Sequence, residues 1–114
     1  MAKSVIYHNP KCSTSRKTLD LLRDNGIEPE VVQYLKTPPS RAELVKMIKD
    51  AGIDVRTAVR KREALYSELN LADASDDELL DAMAAHPILI ERPFVVTSKG
   101  TRLARPIDAV RDIL

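Results

Sequence analysis

The sequence predicts an α/β protein, a mixed sheet flanked by helices, with a helical insertion between a βαβ part and a ββα part. Three observations predict it. A β-rich run, Val5-Ile6-Tyr7, leads straight into a helical pattern and then into a second β-rich run. The middle of the chain, about residues 40–86, is helical in pattern and carries two Ser-x-x-Glu start signals. After that, β-rich runs return around a turn and a last helical tail closes the chain.

The elements follow in order. "SVIYHNP" reads as a buried strand ended by Asn9-Pro10. From Ser13 to Asn25 the period is helical, with Leu19 and Leu22 on one face and Leu21 beside them. Gly26 followed by Ile27 marks a Schellman ending. "EVVQYL" is a second strand. In "TPPSRAELVKMIKDAGI" Ser40 and Glu43 form a capping box, Leu44, Met47 and Ile48 give the apolar face, and Gly52 stops the helix. "DVRTAVRKREALYSELNLA" gives one or two short helices. "SDDELLDAMAAHP" gives another, opened by Ser75 and Glu78 and closed by Pro87; its Asp76-Asp77-Glu78 run suits the positive end of the helix dipole. "ILIERPFVVTSKGTRLARP" reads as strand, proline break, strand, turn at Ser98-Lys99-Gly100, strand. "PIDAVRDIL" is a closing helix with Pro106 at its first position. This is the order of a thioredoxin-like domain with a helical insertion.

The 114 residues suit one domain, 1–114, large enough to need no metal or disulfide staple. Apolar residues make up 44% and charged residues 31%, which is ordinary globular composition. A net charge of +1 gives no electrostatic case for nucleic acid or a membrane surface. The apolar runs are too short to span a bilayer, and no signal peptide is visible. The single cysteine cannot close an internal disulfide, so a cytoplasmic protein is expected. With one cysteine, two separated histidines and no ligand cluster, no metal site is expected either.

That cysteine, Cys12, lies between the first strand and the first helix, in "HNPKCSTSR". A helix N-terminus favours a thiolate there. Arg16 one turn on, and His8 just upstream, can add positive charge or a hydrogen bond. The polar, small neighbours argue against a buried structural thiol. A dithiol oxidoreductase would need a second thiol where Ser15 stands, and a cysteine phosphatase an arginine where Thr18 stands. A monothiol enzyme, which attacks an oxyanion or a disulfide and relies on an outside thiol to finish, fits the spacing. Arg60, Arg92 and Arg105 sit at element ends or in loops, in "AVRKR", "IERPF" and "LARPI". Their planar forks match tetrahedral oxyanions. Two of them precede proline, where the backbone is extended.

These segments together resemble the glutaredoxin-linked arsenate reductase family, the ArsC type with a thioredoxin-like fold. "IYHNPKCSTSRKTL" is similar to its active-site segment, "YLKTPPSRAEL" and "GIDVRTAVRK" to its next two signatures, and "HPILIERPFVVT" with "GTRLARP" to its C-terminal block. The resemblance implies Cys12 as nucleophile, with His8 and Ser15 holding it as thiolate. It implies Arg60, Arg92 and Arg105 as oxyanion ligands and a cis bond before Pro93; Arg16, one turn past Cys12, is a further candidate for substrate binding. It also implies arsenate as substrate, glutathione as co-substrate, glutaredoxin as protein partner, no bound cofactor, and a monomer. The wider family includes regulators of the Spx type, which usually carry Cys-x-x-Cys. A redox-sensing or regulatory protein without arsenate turnover is therefore the alternative expectation.

Overall fold

The structure is a computed structural model that describes residues 4–114. The chain forms two compact units. One comprises the chain up to Thr37 and again from Arg92 to Leu114; the other is Pro38–Glu91.

The first unit is a four-stranded mixed sheet in the order β2-β1-β3-β4. Strand β1 (Val5–His8) runs parallel to β2 (Glu30–Gln33) and antiparallel to β3 (Phe94–Thr97), and β3 is antiparallel to β4 (Gly100–Leu103). Along β1 the even positions Ile6 and His8 are buried and Val5 and Tyr7 only partly so, the two-residue period of a strand with one face on a core. That core joins Ile6 and Val95 from the sheet, Leu19 and Leu22 from helix α1 (Ser13–Asp24), and Val110 and Ile113 from the C-terminal segment. Helix α1 ends as expected. Gly26 adopts φ +77°, its N–H donates to the Arg23 carbonyl at 3.0 Å, and the Ile27 N–H donates to Leu22 at 2.9 Å.

The second unit is helical: α2 (Arg41–Ala51), α3 (Val55–Ala58), α4 (Ala64–Glu68) and α5 (Asp76–Ala85), with 3₁₀ turns at Leu71–Asp73 and Pro87–Leu89. Both capping boxes are present with both arms, Ser40 with Glu43 and Ser75 with Glu78. Leu44, Met47 and Ile48 of α2 and Leu79, Leu80 and Met83 of α5 are buried. Arg41 on α2 spans to Asp77 and Asp81 on α5, at 3.0 and 2.7 Å. Arg56 of α3 is the staple of the short elements. It donates to the Tyr66 hydroxyl and to the carbonyls of Leu71 and Ala74.

Two elements differ from the sequence reading. The expected strand at Ile88-Leu89-Ile90 is a 3₁₀ turn followed by a single antiparallel bridge, Ile90 to Val59. The amides of Leu89 and Ile90 are spent on the carbonyls of His86 and Pro87, so they are not available to a ladder. A short buried apolar run looks the same in either state. The closing helix is 3₁₀ over Ile107–Ile113, and Pro106 precedes it in an extended conformation rather than opening it. Its buried residues, Val110 and Ile113, are three apart, which matches the period of 3.0 better than 3.6.

Candidate active site

The register of the sheet assembles the site. Strand β1 leaves the sheet at His8 and turns through Asn9-Pro10 into Cys12, the residue just before α1. Phe94 pairs with Tyr7, so Arg92 falls just beyond that same end of β1. Leu103 pairs with Phe94, so Arg105, two residues past Leu103, falls beside Arg92, two residues before Phe94. Gln33 pairs with His8, which brings Tyr34 to the same edge. Four chain segments thus meet around one thiol.

The loop is held from below. The Cys12 amide donates to the Asn9 carbonyl at 3.0 Å, and the Arg16 amide to the Cys12 carbonyl at 3.0 Å. Ser15 is fully buried, and its Oγ lies 2.6 Å from His8 Nδ1 while accepting the Asn9 amide at 3.1 Å. The Asn9 carboxamide oxygen accepts the Lys11 amide at 3.0 Å, an Asx turn.

Partial burial pushes the Cys12 thiol up, but four other influences outweigh it and its pKa lies below the ordinary thiol value. They are the Ser15 backbone N–H, the Arg92 guanidinium acting by hydrogen bond and by charge, and the Arg105 charge. Arg105 Nη2 is 3.8 Å from Sγ, and Arg105 Nε donates to the Arg92 carbonyl at 2.9 Å, which fixes the fork. Arg92 is 7% exposed. Burial opposes its charge, yet the neighbouring Tyr34 and Cys12 hold its pKa above the ordinary arginine value. Its Nε and Nη1 are buried and make no hydrogen bond of ordinary geometry among the described residues. Buried guanidinium donors left unsatisfied are costly, and an incoming acceptor would satisfy them.

The remaining predicted residues are disposed differently. His8 does not supply positive charge to the thiol. Burial first, then the charges of Arg23 and Arg16, lower its pKa, and it serves as a neutral hydrogen-bonding support for Ser15. The Ser15 side chain is committed to His8 and Asn9, and only its backbone N–H reaches the sulfur. Arg16 is exposed and donates through Nη1 to the Pro10 carbonyl at 2.7 Å; the guanidinium charges that lower the thiol's pKa are those of Arg92 and Arg105. Arg60 belongs to the helical unit, is 16% exposed, and is paired with Glu63 at 2.9 Å and Glu91 at 3.4 Å. The Arg92–Pro93 bond is cis, as expected, and Arg105–Pro106 is cis as well. Asn9 and Tyr34 were not singled out in the sequence. Asn9 had a signal in the Asn-Pro turn, whereas Tyr34 looked like any strand-end aromatic. Among the described residues no group of His, Cys, Asp and Glu could hold a metal ion, and no helix is long and apolar enough to cross a membrane.

The ArsC family profile matches residues 7–113. The chain belongs to the ArsC family. A Rhizobium meliloti (strain 1021) relative named arsenate reductase is 61% identical over 111 residues, which is 96% of this chain and 79% of the relative. An Escherichia coli arsenate reductase is 56% identical over 116 aligned positions, covering 100% of this chain and 82% of the relative. The solved structure of an arsenate reductase from Vibrio cholerae superposes with a TM-score of 0.93 at 52% identity, over 98% of each chain. This ArsC chain therefore has the mixed-sheet, thioredoxin-like architecture expected for it.

Proposed function

We propose that this protein is an arsenate reductase in which Cys12 is the nucleophile and Arg92 and Arg105 hold the oxyanion. The observation that carries the reading is the convergence of two guanidinium groups on one thiol of lowered pKa. One of them, Arg92, keeps two buried donors without hydrogen bonds among the described residues. Preorganised cations that face a nucleophile bind a tetrahedral oxyanion and stabilise the charge that develops on its oxygens. For Arg60 the support is the family resemblance alone.

One thiol supplies half of the two electrons that arsenate reduction needs, so the second must come from outside. In the proposed cycle the Cys12 thiolate attacks arsenic and one oxygen leaves as water. Glutathione condenses on the same arsenic with loss of a second water. The glutaredoxin thiolate then attacks the glutathione sulfur. The sulfur–arsenic electron pair passes to arsenic, which becomes trivalent, and a glutaredoxin–glutathione disulfide departs. Water releases arsenite from Cys12. The sum is arsenate and two thiols giving arsenite, one disulfide and water. A cycle that runs on reduced thiols suits the cytoplasm, and one site in one chain suits a monomer.

The test is a coupled assay with arsenate, glutathione, glutaredoxin, glutathione reductase and NADPH. Arsenate-dependent NADPH consumption by the wild type, abolished in Cys12→Ser, is the expected result. No arsenate-dependent consumption would favour a regulatory or sensing protein.

A further inference from the structure

A cavity of about 420 Å³ opens beside the cysteine loop and runs along α1. It starts at Pro10 and Ser13, the residues that flank Cys12 and Lys11, and continues past Arg16 and Lys17 to Arg23. Three cations and one carboxylate, Asp20, line it. Arg16 is anchored at the near end through the Pro10 carbonyl. Arg23 has its Nε on Glu28 at 3.1 Å and keeps its η nitrogens clear of that contact. Lys17 has no hydrogen-bond or ion-pair partner among the described residues. The field of this groove reaches inward, since both Arg23 and Arg16 disfavour protonation of the buried His8.

We propose that this groove binds the anionic thiol that acts on the Cys12 adduct, by capturing its carboxylates on Lys17 and Arg16. The proposal rests on the reductase reading and assigns a place to its small-molecule reductant. The dimensions fit. From Ser13 to Arg23 the helix rises about 15 Å, whereas an extended tripeptide spans at most ~10 Å. A peptide with its sulfur at Cys12 and its carboxylates within one peptide length therefore lies inside the groove. An uncharged thiol gains nothing from these cations, and a cationic one is repelled.

Thiol–disulfide exchange tests the site without any arsenate. The Cys12 thiolate attacks one sulfur of a disulfide, forms a mixed disulfide and releases the other half as thiolate, with no further reactant needed. The rate is measured with glutathione disulfide, which is anionic, hydroxyethyl disulfide, which is neutral, and cystamine, which is cationic. In Lys17→Glu the rate with glutathione disulfide should fall about tenfold, the rate with hydroxyethyl disulfide should stay within about twofold, and the rate with cystamine should rise. Wild-type preference for the anionic probe should shrink between low and high salt, because exposed charges are screened. Equal rates for wild type and Lys17→Glu with glutathione disulfide would overturn the proposal. So would an equal slowing with all three probes, since that reports a less reactive thiol. If the charge pattern holds but arsenate is not turned over, the reductase reading fails and the anionic-thiol site stands. If arsenate is turned over and the charge pattern is absent, the site alone fails.

Discussion

Replacing Ser15 by alanine separates two roles that meet in one residue. The Ser15 Oγ is buried and meets His8 Nδ1 at 2.6 Å and the Asn9 amide at 3.1 Å. Alanine removes both contacts but keeps the backbone N–H that lowers the pKa of Cys12. His8 and Asn9 are only 7% and 6% exposed, so water does not readily take the place of Oγ. A buried polar group that loses its partner costs ~1–3 kcal/mol. Two such groups, offset slightly by burying a methyl in place of a hydroxyl, put the loss at about 2–4 kcal/mol. In a domain of this size that lowers the melting temperature by roughly 8–20 °C. Urea unfolding of wild type and Ser15→Ala reads the stability. The pH profile of iodoacetamide alkylation, run on the same samples, reads the thiol. The expected pair of results is a large stability loss with an unmoved alkylation midpoint. A loss below ~0.5 kcal/mol would show that the buried hydrogen bonds carry no net stabilisation. An upward shift of the midpoint at unchanged stability would show that the hydroxyl acts on the sulfur directly, and would refute the assignment.

Three further outcomes follow from the same geometry. Wild-type Cys12 should be alkylated with a midpoint below the ~8.5 of a free thiol, and Arg105→Gln should move that midpoint up, because the guanidinium 3.8 Å from the sulfur is lost; coincident profiles would count against it. Arg105→Lys should lower kcat/KM for arsenate roughly 10–100-fold while the fold survives, since one ammonium cannot serve both the Arg92 carbonyl and the site and a charged hydrogen bond is worth ~1.5–3 kcal/mol; wild-type kinetics would place Arg105 outside the site. His8 has its folded-state pKa lowered, so the unfolded chain binds its proton first as pH falls through ~6.5; stability should drop on acidification from there, and His8→Gln should flatten that part of the slope, whereas parallel slopes would mean His8 is not held neutral by the fold.

Local order was legible in the sequence wherever a local rule sets it. Ser40 with Glu43 and Ser75 with Glu78 are capping boxes because both partners lie within four residues. Gly26 ends α1 because the Schellman turn needs a positive φ at that point. The stretch from Pro87 to Ile90 was not legible in the same way. Pro87 starts a tight turn, but the run after it is as apolar as a strand, and only the tertiary pairing of Ile90 with Val59 decides its state. The last segment was misjudged for a related reason. Seven residues are too few for apolar spacing to separate a period of 3.0 from one of 3.6.

The site divides along the same line, and the division has a physical cause. Cys12 stands out from sequence because its setting is local: a strand end, a proline turn and a helix start. Its electrostatics are not local. Arg92 and Arg105 lie about 80 and 90 residues after Cys12 in the chain, and strand register within the sheet brings their charges to it. Sequence proximity suggested His8 and Arg16 as the thiol's cations, and both are otherwise engaged. His8 is buried, and burying a charged imidazole is costly, so it stays neutral and hydrogen-bonds Ser15. Arg16 lies on the flank of α1, one turn before Leu19, and its side chain is exposed. Its exposure makes Arg16 available to the groove beside Cys12. The protein thus keeps two sets of cations, one turned to the Cys12 sulfur and one turned along the helix. A charge that must stabilise the thiolate has to be rigid and partly desolvated, which Arg92 achieves by burial and Arg105 by its bond to the Arg92 carbonyl. In the proposed groove, a charge that admits and releases a small reductant has to remain exposed and screened, and Arg16 and Lys17 are exposed.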